Sequence, residues 1–249
     1  MSSKNLSAGL QSYMIPGNNY GYTGVDLAGV GLQSFENTIA VGLVDESGST
    51  TAFKFELENC IKEIIRSLRD SDYADKLLYA HYHFDTNFRE VHGFKELVTI
   101  NPDDYDGCWQ GGGMTTLYDS ETRVIQYIDD YSEKMRKERY LCNGILYVLT
   151  DGCDYGSSLT ESAVTNALQN IVQNEGLESF MSILIGINDD NRVQNILEKH
   201  SQKCGFSQYI KAGNADRKTL SKIAGFITRS ISSQSQALGS GGPSQLLKF

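Results

Sequence analysis

The chain predicts an α/β fold: a doubly wound, mostly parallel sheet of six strands, helices on both faces, and one short antiparallel edge strand. Two observations carry this expectation. Short, almost wholly apolar runs at 38–45 and 144–150 are what strands covered on both faces require. Between such runs lie segments with apolar residues at helical spacing, so that strand and helix alternate along the chain.

Taken in order, residues 1–37 are rich in Gly, Ser, Asn and Tyr and show no sustained helical period. They read as an N-terminal extension, either loose or draped on the domain or a partner. The first strand is 38–45. A helix over 52–70 follows from Phe53, Leu57, Ile61, Ile64, Ile65 and Leu68. A strand spans 77–84, and a weaker segment at 86–100 reads as the edge strand, ended by the turn chemistry of Asn101-Pro102-Asp103-Asp104. The Gly-rich loop 111–113 leads into a helix over 116–139, and 144–150 is again a strand. Then come a helix at 159–174, a strand at 180–187, a helix at 190–201, a short strand at 207–211 and a last helix at 216–232. The domain therefore spans 38–232. Residues 233–249 form a Gly/Ser-rich tail of linker composition that closes on Leu246, Leu247 and Phe249; it reads as a frayed end or a short docking peptide.

The bulk properties bound the function. Of 249 residues, 40% are hydrophobic and 21% charged, enough for a core that needs no disulfide. A net charge of −9 with scattered Lys and Arg argues against a nucleic-acid partner. The one basic run, Lys134 to Arg139, ends a helix and complements its dipole. The five cysteines form no CxxC pair and read as reduced thiols. The first residues lack the apolar core of a signal peptide, and no stretch approaches the ~18 apolar residues of a membrane span. A cytoplasmic protein is expected, although a virion component has the same composition.

In an open α/β sheet, ligands bind beyond the carboxyl ends of the strands. Three polar loops belong there: Asp45-Glu46-Ser47-Gly48-Ser49-Thr50, the loop from Gly111 to Asp119 with Thr115 and Thr116, and Thr150-Asp151-Gly152. They offer carboxylates and hydroxyls, hard donors that suit Mg²⁺, with Mn²⁺ or Ca²⁺ as substitutes. Each loop alone also fits a bland role, since Ser, Thr and Asp are favoured helix caps: Asp45 and the serines for the helix at 52–70, Ser157 or Ser158 for the helix at 159.

Asp45-x-Ser47-x-Ser49, a Thr after a Gly-rich loop and a Thr-Asp-Gly strand end together resemble the metal-ion-dependent adhesion site of von Willebrand factor A domains, over roughly residues 36–232. The resemblance implies that Ser47, Ser49 and Thr115 ligate the metal through their hydroxyls. It implies that Asp45 and Asp151 bind directly or through water. Thr115 is preferred to Thr116 because Thr-x-Leu-Tyr-Asp matches 115–119. Glu46 and Thr50 depart from residues common in the family, and neither removes a ligand; Asp154 reads as loop polarity or as a group supporting the site. The resemblance further implies a non-enzymatic, metal-dependent protein-interaction module, its ion taking an Asp or Glu of a partner protein. An AAA+ ATPase or a larger intracellular or phage assembly is the expected setting. Two alternatives stand: a Mg²⁺-dependent phosphoryl-transfer or hydrolytic enzyme, against which Ser47 replaces the second Asp of an Asp-x-Asp motif, and a structural assembly subunit with a vestigial site.

Other candidates are weaker. His81 and His83 face one side of a strand but lack a third ligand at suitable spacing. Cys153 has no histidine partner for nucleophilic work. Trp109 and Tyr105 read as a partner-contacting rim or as loop packing. Gly29-Val30-Gly31 and Gly111-Gly112-Gly113 lack the remaining residues of nucleotide-binding loops.

Overall fold

The computed structural model describes residues 9–28, 32, 34–240 and 245–249. The first residues, Gly29-Val30-Gly31 and 241–244 of the tail lie outside them. In chain order the elements are β1 (Gln11–Met14), β2 (Gly21–Gly24), β3 (Glu36–Asp45), α1 (Lys54–Arg69), β4 (Leu77–Phe84), β5 (Phe88–Glu96), α2 (Leu117–Lys137), β6 (Leu141–Thr150), α3 (Glu161–Gln173), β7 (Ser179–Gly186), α4 (Asn191–Cys204), β8 (Gln208–Lys211) and α5 (Arg217–Ser240).

The apolar runs form the central strands. β4, β3, β6, β7 and β8 are parallel neighbours, with β5 antiparallel on β4. Alternate residues of β3 face opposite sides of the sheet. Ile39, Val41 and Leu43 join the core formed with α2, α3 and α4, while Ala40 and Val44 join that formed with α1 and α5. The register sets Asp45 opposite Phe84 and Val44 opposite Leu149. The carboxyl ends of β3, β4 and β6 are therefore level, and the loops that follow them share one edge of the sheet.

The expected six-stranded, mostly parallel sheet is incorrect. Among the described residues the sheet has eight strands and is mixed, in the order β1-β2-β5-β4-β3-β6-β7-β8. β5 is antiparallel as expected, but it is not an edge. β2 lies parallel to it, with Val25 N donating to Phe94 O at 2.9 Å, and β1 pairs antiparallel with β2. The two added strands are four residues each, too short to show a period-two pattern. Aromatic packing holds them. The Tyr22 ring lies 5.0 Å from Tyr127 and 5.4 Å from Phe94, and its hydroxyl donates to Asp130 on α2.

Close backbone approach is the other requirement. A Cβ at Gly93 would lie 1.7 Å from the Thr23 carbonyl oxygen. Gly93→Ala is expected to push β2 off β5 and cost about 1–3 kcal/mol. Hydrogen exchange should show lost protection at 11–14 and 21–25 with β3 and β6 unchanged; retained protection at β1 and β2 would refute this account of the docking.

The last helix continues to Ser240, beyond the 232 at which the apolar pattern ends it. Its Ser/Gln segment is held by specific bonds: Asn143 Nδ2 donates to the Gln234 carbonyl at 2.8 Å, and Ser235 Oγ donates to Thr38 Oγ1 at 2.9 Å. Beyond 244, the Leu247 carbonyl accepts from Gln208 Nε2 at 3.0 Å, and the Phe249 ring lies edge-on to Phe226 at 5.6 Å. Among the described residues no helix is long and apolar enough to cross a membrane.

Candidate metal centre

β3 ends on Asp45, which is 1% exposed. One of its carboxylate oxygens accepts from the Ser47 amide at 2.8 Å, the other from the Thr150 hydroxyl, at the end of β6, at 2.6 Å. Asp151 follows Thr150 and accepts from Ser49 Oγ at 2.8 Å, while Ser49 Oγ lies 3.2 Å from Ser47 Oγ. Asn188, after β7, donates to the Asp151 carbonyl. Asp45, Ser47, Ser49 and Asp151 thus form one hydrogen-bonded chain across two strand ends.

Thr115 comes from the Gly-rich loop. Its carbonyl accepts from the amides of Tyr155 at 2.9 Å and Gly156 at 3.1 Å, which ties this loop to the one after Asp151. A Cβ on Gly152 would lie 3.6 Å from Thr115 Oγ1. Thr115 is 7% exposed, and its hydroxyl is not one of the buried side-chain atoms left without a partner, so it is open to solvent. The Thr116 hydroxyl instead donates to the Asp85 carbonyl.

Capping does not account for these groups. Ser47 makes no side-chain cap bond to the 3-10 turn Gly48–Phe53 that precedes α1, and Thr160 rather than Ser157 or Ser158 stands at the start of α3. Ser157 donates to Asp154, which also accepts from the Tyr118 amide; Asp154 thus ties its loop to the first turn of α2.

Burial sets the electrostatics of the two carboxylates. Burial pushes Asp45 up to about 6, with Asp151 adding to the rise and the Ser47 and Thr150 hydrogen bonds opposing it. Burial also raises Asp151. Among the described residues no group of three or more His, Cys, Asp or Glu is placed to hold a metal ion. The cluster has only two carboxylates, its other oxygens being hydroxyls, so its chemistry suits a hard cation that keeps waters or takes an outside ligand. The buried Asp45 carboxylate, whose charge burial disfavours, is what such an ion would satisfy.

Sequence reasoning did not find the groups that hold the Gly-rich loop. Asp85 Oδ2 accepts from the amides of Gly112 at 3.2 Å and Gly113 at 3.0 Å, and Thr86 Oγ1 from Met114 N at 2.9 Å. Asp85 and Thr86 directly follow β4, so the strand-end rule applied to that strand would have pointed to them. Glu58 on α1 receives the Trp109 amide at 3.0 Å.

The two strand histidines are fully buried and satisfied by Tyr79, by each other and by Glu46. Burial disfavours the Glu46 carboxylate, but hydrogen bonds from His83 and Arg89 outweigh this and hold it at about 2. Tyr105 is buried, with its hydroxyl 2.6 Å from His92 Nε2, so it forms no rim; the Trp109 ring packs 5.4 Å from His83.

No known family profile matches the chain, and no curated protein matches it in sequence. Solved structures do match. They include the PilB minor pilin of Streptococcus sanguinis, with TM-score 0.61, 13% identity, and coverage of 85% of this chain and 64% of that one. The pilus adhesin SpaC of Lactobacillus rhamnosus GG matches with TM-score 0.53 and 12% identity over 81% of this chain and 31% of that one. The ArnB paralog VWA2 of Sulfolobus acidocaldarius is also among the matches, at TM-score 0.47 and 16% identity over 78% of this chain and 45% of that one. The chain spans less than two thirds of the length of each, and at these identities the likeness is one of fold.

Proposed function

We propose that the oxygens of Asp45, Ser47, Ser49, Thr115 and Asp151 bind one divalent cation, Mg²⁺ with Mn²⁺ or Ca²⁺ as substitutes. The ion takes an Asp or Glu carboxylate of a protein partner, so that the chain acts as a metal-dependent interaction module rather than an enzyme. The observation that carries this reading is the convergence of three loops: Asp45, Ser47, Ser49 and Asp151 share one hydrogen-bonded chain, the Gly48 amide donates to the Gly113 carbonyl at 2.9 Å, and the Thr115 carbonyl accepts from the Tyr155 and Gly156 amides. Two carboxylates bring a bound dication to a net charge of zero and the hydroxyls add none, so the site takes one anionic ligand from outside without a large excess of negative charge. Met114 and Tyr155 adjoin the Thr115 carbonyl and its neighbours and are 55% and 82% exposed, an apolar rim for a partner residue beside the acid. All five cysteines are free, which supports a reducing compartment such as the cytoplasm.

Titration calorimetry with Mg²⁺ and with Mn²⁺ tests the site. The wild type should bind one ion, and Ser49→Ala, which removes a hydroxyl and unties Asp151, should weaken binding by about 10-fold or more. A wild type that binds neither ion overturns the reading. Capture of the partner in Mg²⁺ but not in EDTA tests the second half, and capture unaffected by EDTA refutes it.

A further inference from the structure

Glu46 lies between Asp45 and Ser47 and is 3% exposed, an unusual place for a carboxylate unless it is paired. Arg89 Nε donates to its Oε1 at 3.0 Å and Arg89 Nη2 to its Oε2 at 2.6 Å. The Gln110 amide donates to Oε2 at 3.1 Å, and His83 Nδ1 lies 3.0 Å from the same oxygen. Arg89 Nη2 also donates to the Cys108 carbonyl at 2.8 Å. Arg89 Nη2 also lies 2.9 Å from His83 Nδ1; with its two hydrogens assigned to Glu46 and the Cys108 carbonyl, His83 Nδ1 is assigned the proton that faces Glu46. His83 Nε2 is left to accept from His81 Nε2 at 2.9 Å, His81 Nδ1 to accept from the Tyr79 hydroxyl at 2.9 Å, and Tyr79 to accept from the Tyr147 hydroxyl at 2.5 Å. Four buried side chains thus orient every hydrogen toward one carboxylate.

That carboxylate holds the loop that carries Thr115. Through Arg89 and the Gln110 amide it fastens the backbone at 108–110 to the end of β3. Gly111 lies so close that a Cβ there would sit 2.0 Å from the Glu46 carbonyl oxygen. The next two amides are fastened by Asp85, and Thr115 follows.

We propose that Glu46 is a positioning residue of the cation site: with Arg89 it fixes the loop over 108–111, and so sets the Thr115 hydroxyl against the Asp45–Ser47–Ser49–Asp151 cluster. The proposal rests on the cation reading above. Glu46 acts through Thr115 and does not touch the ion.

The test is a double-substitution cycle on the full chain, with Mg²⁺ affinity from calorimetry. Glu46→Gln should weaken Mg²⁺ binding about 10- to 100-fold in the wild-type background, but by no more than about 2-fold on Thr115→Ala, because the hydroxyl it places is already gone. Trp109, the only tryptophan, packs on His83 and should shift its emission in the metal-free Glu46→Gln protein. If Glu46→Gln does not fold, Arg89→Lys keeps the charge but loses the fork and should show the same pattern at smaller amplitude. Unchanged affinity, or an equal loss in both backgrounds, overturns the proposal. If the wild type binds no Mg²⁺, the cation reading falls separately, and amide exchange at 110–113 in the metal-free proteins decides the positioning role. Faster exchange in Glu46→Gln upholds that role, and wild-type protection there overturns it.

Discussion

Replacing Asp45 with Asn is expected to make the metal-free protein more stable by about 3 kcal/mol while abolishing its stabilisation by Mg²⁺. The buried Asp45 carboxyl has its affinity for a proton raised, to about 6 from an ordinary value near 3.8, chiefly because burial disfavours the charge. A folded-state pKa above the unfolded one means that ionisation costs stability. That cost is absent below about pH 4, grows as pH rises toward 6, and is constant above it. Asn has the same shape and no charge. Its carbonyl keeps the Ser47 amide, and its NH₂ faces Thr150, whose hydroxyl can turn to accept while donating to the Gly152 carbonyl at 3.1 Å. In EDTA the variant should therefore show the higher urea midpoint at pH 7, with a gap that closes as pH falls from 6 to 4. In Mg²⁺ at about a thousand times its Kd the wild type should gain about 4.1 kcal/mol and the variant nothing, so that the order of stabilities reverses. A variant that is the less stable in EDTA, or that gains equally from Mg²⁺, would refute this account of the cluster.

The Asp45–Ser47–Ser49–Asp151 cluster was legible in the sequence because each of these residues stands at or just after a strand end. The apolar run before Asp45 predicts a central strand, and a strand end with three oxygen residues in five positions announces itself. What the sequence did not disclose is held by contacts between distant residues. β1 and β2 depend on Tyr22 meeting Tyr127 and Phe94, and on Gly93 having no side chain under Thr23. Neither requirement leaves a period. The end of α5 has linker composition, yet Gln234 and Ser235 are bonded to β6 and β3. Glu46 read as a departure from a family pattern, and only the positions of Arg89, His83 and Gln110 around it disclose its task.

The second large effect is expected on the opposite face of the sheet from α1 and α5. His200 on α4 is 2% exposed, with Nε2 2.8 Å from Glu121 on α2 and Nδ1 3.3 Å from Glu161 on α3. An acidic side chain at each nitrogen favours a proton on both, while burial raises Glu121 as well. Burial disfavours the imidazolium, but the charge of Glu121 and hydrogen bonds to Cys204 and Glu121 outweigh it and raise His200 to about 11. Removing one partner strands the other. His200→Leu leaves Glu121 fully buried, with an oxygen that already lacks a partner, and should cost about 3–5 kcal/mol. The paired substitution His200→Leu with Glu121→Leu removes both charges and should cost far less than the single one, as apolar replacements of buried pairs do. The sign with pH follows from the raised value: the stabilisation is complete below the unfolded histidine's pKa near 6.5 and is lost as pH rises toward 11. Between pH 7 and 10 the wild type should therefore lose stability faster than the double variant, in urea denaturation at each pH. A single substitution costing under about 1 kcal/mol, or equal slopes, would show that His200 is held neutral. Because α2 starts two residues after Thr115, the double variant should also bind Mg²⁺ with wild-type affinity, which separates a pair that joins three helices from the cluster that would hold the ion.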